Sequence, residues 1–110
     1  MASTTAICTS FKQELLVGGH NFTLSTGDTF KIALYTSTAT NSAATTAYTA
    51  TNEVSGTGYV AKGNTLTNVT PTTSGTTAFT DFADTTWSTS TITAASCMIF
   101  NEDAAGDDSV

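Results

Sequence analysis

The chain has 110 residues, of which only 11% are charged: three lysines, no arginine and nine acids, for a net charge of −6. An acidic chain of this kind is repelled by phosphate, which excludes nucleic-acid binding through a basic stripe. No apolar run approaches the roughly 18 residues that span a bilayer, so no membrane span is expected. Threonine supplies about a quarter of the chain, which favours strands and a hydroxyl-coated surface. Length and composition fit one all-β domain over residues 1–110, expected as an antiparallel sandwich of jelly-roll or immunoglobulin-like type with one short N-terminal helix. The start lacks the basic and apolar regions of a signal peptide, so synthesis in a cytoplasm is expected.

In chain order, residues 10–17 read as the helix. Ser10 and Gln13 have capping-box spacing, Phe11 and Leu15 share a face, and Gly18 is a stop. Residues 28–35 alternate as a strand, with Phe30, Ile32 and Leu34 assigned to the inner face. Residues 36–51 lack periodicity apart from Tyr48 and read as a long surface loop. Residues 53–60 bend at Gly56 and Gly58, and Lys62-Gly63-Asn64 is expected to turn them into a hairpin with residues 65–69. Residues 76–83 are a further strand. Residues 91–100 end apolar on both faces, the pattern of a central, doubly covered strand. An acidic turn over 101–108 then leads into what reads as a returning strand at Ser109 and Val110. The open edge left there is completed either by further chain or by a neighbouring subunit, and the abrupt stop favours the first.

Four of the nine acids (Glu102, Asp103, Asp107, Asp108) lie in this final turn, so the body carries only about −2. Such a body cannot rely on repulsion for solubility and suits packing against other surfaces.

Residues with chemical potential are few. Cys8 and Cys97 read as small buried hydrophobes rather than a disulfide or a catalytic thiol. His20, the single histidine, has neither the nucleophile and orienting acid of a triad nor further zinc ligands around it in sequence, and reads as structural or superficial. Asp81 and Asp84 meet no acid–base spacing and read as turn or capping residues. The run from Asn101 to Gly106 faintly matches a calcium loop but has Ala105 at position five and no Glu at twelve. Gly56-Thr57-Gly58 lacks the rest of a dinucleotide loop. Asn21-Phe22-Thr23 and Asn68-Val69-Thr70 match the glycosylation sequon by chance in a Thr-rich chain. Tyr35, Tyr48, Tyr59 and Trp87 are candidates for a sugar-binding platform, although core and corner roles are commoner for such residues. No catalytic, cofactor or metal site is expected, and no enzyme.

Several phrases together carry a resemblance. Residues 10–16 (SFKQELL), 19–22 (GHNF), 28–35 (DTFKIALY), 52–59 (NEVSGTGY) and 81–84 (DFAD) with Trp87 resemble, in the same order, a family of small structural proteins of tailed bacteriophages. Members of that family usually continue past the position of Val110, and the stretch at Met98-Ile99-Phe100-Asn101 often differs. The resemblance implies a virion component without cofactors. The expected role is a capsid decoration (cement) protein on the capsid exterior, bound to the major capsid protein and self-associating, as a trimer around local symmetry axes. The alternative is a tail or fibre-associated module, adhesin-like and glycan-binding.

Overall fold

The computed structural model describes residues 3–110. Helix α1 (Thr9–Leu16) is followed by β1 (Phe30–Tyr35), β2 (Asn64–Thr65), β3 (Asn68–Ser74), β4 (Thr77–Phe82), β5 (Ser96–Asn101) and β6 (Asp108–Ser109). The chain is therefore mostly β with one short helix. Its strands form a four-stranded antiparallel sheet in the order β2-β1-β5-β6 and a separate two-stranded hairpin, β3-β4. The returning strand expected after the acidic turn is present as β6, paired Phe100 to Ser109 and Asn101 to Asp108.

The helix begins one residue earlier than expected, and Ser10 is not its cap. Cys8 holds the N-cap position without a side-chain bond, and Ser10 Oγ is buried with no protein partner. The stop is as expected. Gly18 (φ 76°) donates its N–H to Leu15 O at 3.1 Å and Gly19 donates to Glu14 O at 2.7 Å, the paired bonds of a Schellman ending. Phe11 is buried but its expected partner Leu15 is 44% exposed, so the face is narrower than the spacing indicated.

Of the three residues assigned to the inner face Phe30 is fully buried, but Ile32 and Leu34 are only half-buried, and beyond Phe30 the main core lies on the opposite face of the sheet. In the β1–β5 register, Ala33 lies opposite Met98 and Lys31 opposite Phe100. Ala33, Tyr35, Met98 and Phe100 on this face form the main core with Ala39, and Tyr48 packs against them. Ile32, Leu34 and Ile99 on the other face are half-buried, and Cys97 is exposed. The reason is the 36–51 loop, which lies against the sheet rather than in solvent. Tyr35 donates its hydroxyl to Thr49 O at 2.7 Å, Tyr48 packs 4.8 Å from the Phe100 ring, and small Ala33 lets the loop approach. Near its end the loop also covers the outer edge of β6, through an antiparallel bridge from Ala47 to Asp108 and a bond from Ser109 N–H to Thr46 O. Thus β5 is central, as expected, but covered on one face only along Cys97 and Ile99.

The expected hairpin of 53–60 with 65–69 does not form. Lys62 and Gly63 do make the turn, both at positive φ, but Asn64 and Thr65 pair with β1. Gly56 and Gly58 interrupt 53–60, which instead makes single bridges from Glu53 to Tyr35 and from Thr57 to Thr91. Glu53 fastens this segment: its carboxylate accepts from the hydroxyls of Tyr48 and Tyr59 and from Lys62 N–H. Burial pushes the Tyr35 phenol up to about 12, and burial with the Glu53 carboxylate raises Tyr48 and Tyr59 as well.

Two outcomes follow. A Cβ on Gly63 would lie 1.9 Å from the Ile32 carbonyl oxygen, in a φ of 71° that disfavours side chains. Gly63→Ala is expected to cost at least about 2 kcal/mol, lowering Tm by roughly 8 °C or more in a thermal melt. Because the fold favours the neutral phenols, their stabilisation is complete below about pH 10 and lost as pH rises toward about 12. Absorbance at 295 nm should therefore show tyrosinate appearing together with loss of the circular-dichroism signal, not before it.

Candidate functional site

Three features outside the core compete as functional sites: a polar knot around His20, a groove beside β5 and the projecting β3–β4 hairpin.

The knot lies where Phe30 and Asn101 pair at the end of β1 and β5. Five rings gather over this position. Phe22 stacks on Phe30 at 4.3 Å, His20 lies 4.8 Å from Phe11, and Phe82 lies 5.7 Å from Phe30. His20, fully buried in its side chain, donates Nε2–H to Glu14 Oε1 at 2.8 Å. Its Nδ1 accepts from the Asn101 amide at 3.0 Å. That amide nitrogen also donates to Asp28 Oδ2 at 2.7 Å, while Asn101 Oδ1 accepts from Asp103 N–H at 3.0 Å. These contacts fix the amide's orientation, since turning it would set oxygen against the Asp28 carboxylate and N–H against N–H at Asp103. They also fix the proton on Nε2 of His20.

Asp108 completes the cluster: ligand-type atoms of Glu14, His20 and Asp108 lie within 4.8 Å of one another. These three residues are the ones that would hold a divalent cation. The donor set does not fit one in this arrangement, because a liganding Nε2 must give up its proton to Nδ1, which faces the Asn101 NH2 group. The knot is a clamp that joins α1, the 20–28 loop, β1 and β5. Burial, and then the neighbouring Glu14 charge, raise the Asp108 carboxyl above its ordinary value of 3.8.

The sequence reading left His20 as structural or superficial; the structure buries it, among Glu14, Asn101, Asp28 and Asp108, a cluster that the sequence reading missed. The nearest signal was Asn101, a polar residue ending an apolar strand. Other expected positions fall apart. Cys97 is exposed and only Cys8 is buried, both free. Asp81 and Asp84 are both exposed, one on β4 and one beyond its end. Tyr35 and Tyr59 are buried, and Trp87 stacks on Tyr59 at 6.2 Å, so these aromatics do not form an exposed platform. Asn68 of the second sequon is buried and donates to Thr23 O and Asp28 O. The acidic turn is tethered rather than free: Lys31 reaches Glu102 at 3.2 Å, and Lys62 reaches Asp107 at 2.7 Å.

The groove of about 450 Å³ lies between β5 and the extended segment 3–8, bounded by Asn41, Ser42 and Thr45 and by Val110. Among the described residues its lining contains no charged side chain. The third feature is the hairpin. Phe82 and Asn68 anchor its base, and Thr70 Oγ1 accepts from Leu24 N–H at 3.0 Å. Every residue from 69 to 81 is exposed, including Val69 and Phe79 at nearly half of their surfaces.

No helix among the described residues is long and apolar enough to cross a membrane. Comparisons with protein-family profiles, curated proteins and solved structures gave no match.

A raised carboxyl value means that the folded state favours neutral Asp108. Its contribution is complete below pH 3.8 and lost as pH rises, so the charged form works against the fold at pH 7. Asp108→Asn is expected to raise Tm at pH 7 and to change it little near pH 3. Equal effects at both pH values would show that the charge is not responsible.

Proposed function

We propose that this chain is a structural subunit of a tailed-phage particle, acting as a decoration protein that binds the outer face of the major capsid protein and braces the shell. The observation that carries this reading is the β3–β4 hairpin, an arm without a charge between Val69 and Thr80 and exposed along its whole length. A two-stranded hairpin standing alone in water is marginal, so such an arm gains stability by lying on a partner. A second support is the apolar corner at the end of α1, where Leu16 is 88% and Val17 78% exposed. The near-neutral hydroxyl surface suits contact with a shell over most of its area. The ordered phrases quoted above add the phage context.

A full sandwich belongs to the same reading. The strip of half-buried Ile32, Leu34 and Ile99 with exposed Cys97 is where a second layer would lie, and an assembly partner is its natural source. Each contact need not be tight. A shell repeats it many times, and multivalency turns weak contacts into lasting attachment.

The test is cryo-electron microscopy of the particle that carries the chain, alongside particles made without it. Density on the capsid exterior is expected, together with genome release at a lower temperature when the chain is missing. Density confined to the tail would overturn the decoration role and favour the tail or fibre reading.

A further inference from the structure

Two strand edges of this molecule lack the devices that usually protect edges, and they are of complementary kinds. The first is on the arm. Gly75 (φ 60°) and Thr76 form the two-residue turn between Ser74 and Thr77, which makes those two a hydrogen-bonded pair. Alternation along the ladder then makes Thr72 with Phe79 the next such pair, so the N–H and C=O of Ala78 point away from β3. On the opposite edge the arm is blunted, because Pro71 has no N–H and the register slips between Val69 and Thr72. The β4 edge has no proline, lysine or bulge. It is the one available edge of the arm.

The second edge is on β5. Val110 donates its N–H to Ile99 O at 2.9 Å, so Ile99 and, two residues earlier, Cys97 direct their backbone groups away from β1. The partner strand β6 covers Phe100 and Asn101 only. The N–H and C=O of Cys97 therefore face the groove between β5 and segment 3–8, with no strand among the described residues across from them. The groove lies alongside an open strand edge, has no charged side chain among its described wall residues, and is bordered by apolar Ile7 and Ile99. Such a site accepts an extended strand through main-chain bonds.

We infer that the β4 edge of one copy pairs with the open edge of β5 in the groove of a second copy. Charge selects the occupant. Two copies of net charge −6 repel where their acidic residues face one another, and neither the arm from Val69 to Thr80 nor the described groove lining carries a charged side chain. These are the surfaces on which two copies can meet without opposing like charges. Donor and acceptor are different patches, so the contact is heterologous. Successive copies would close into a ring, of which three members is the smallest cyclic case beyond a dimer, or continue along a surface. The contact is smaller than the interface of a stable complex, and an affinity on the order of 10–100 µM is expected for the free chain. This inference rests on the reading of the chain as an assembly subunit, and it names the surface through which copies join.

Sedimentation of the full chain over a range of concentrations tests it, compared with Ala78→Pro. That substitution removes one outward N–H from the exposed arm without touching the bonds between β3 and β4, and circular dichroism checks that the fold is kept. Reversible association is expected for the parent chain and at least a tenfold weaker association for Ala78→Pro. A second measurement uses Ala78→Cys in a Cys8→Ser background, oxidised and mapped by peptide mass. A disulfide between positions 78 and 97 of different copies is expected, since the two must come within about 7 Å. A parent chain that stays monomeric at all concentrations, equal association of Ala78→Pro, or linkage of 78 to 78 or 97 to 97 would overturn the inference. Those results leave the decoration reading standing or falling on its own test, because a monomer can still bind a shell.

Discussion

Everything in this structure leans on one buried amide. Asn101 is wholly enclosed, and a buried amide left without partners destabilises a fold by a few kcal/mol, so its three polar contacts are obligatory. Satisfying them draws His20 and Asp28 in from one loop and Asp103 in from the turn that follows. His20 in turn holds Glu14 on the helix, and Asp28 accepts a bond from Asn21 N–H that closes its own loop. The aromatic stack around Phe30 fills the space beside this knot and, through Phe82, fixes the base of the arm. A single polar side chain thus sets where the helix, the loop, both central strands and the arm meet.

The same economy appears at the far end of the sheet. Glu53 gathers two tyrosine hydroxyls and a backbone N–H, and thereby turns an interrupted, glycine-containing segment into a fixed wall of the core. The few lysines are used in the same way. Lys31 and Lys62 hold the acidic turn against the body, so the charge concentrated at that turn is partly neutralised where it stands. The surfaces left over are the uncharged arm and the uncharged groove. There the molecule presents hydroxyls, backbone edges and a few apolar side chains to its surroundings.

Much of the fold was legible in the residues. The helix stop at Gly18, the turn at Lys62 and Gly63, the strands at 30–35 and 77–82 and the return after Asn101 all follow from local conformational preferences, and each is present. The pairing of those pieces was not legible. The turn at Gly63 was read as joining its two flanks into a hairpin, whereas Gly56 and Gly58 keep the upstream flank irregular and β1 takes Asn64 and Thr65. The hairpin that does form turns at Gly75, a signal available in Ser74-Gly75-Thr76 but outweighed by the more conspicuous turn upstream. Alternation in β1 was right for Phe30 but not for Ile32 and Leu34, because it counts apolar side chains and ignores what covers them. Tyr35 could be buried only because a polar loop brought the Thr49 carbonyl to its hydroxyl.

Composition and local pattern are enough for the class of structure and the character of the surface: antiparallel strands, one short helix, few charges and abundant hydroxyls. Those properties are sums over residues and local preferences, so no long-range contact is needed to state them. Tertiary structure alone decided that Glu14, His20, Asn101 and Asp108 meet, that Cys97 faces outward, and that one strand edge of the sheet and one of the arm remain open. Each of these depends on which strands pair, and pairing is settled by the satisfaction of buried polar groups and the packing of rings drawn from opposite ends of the chain.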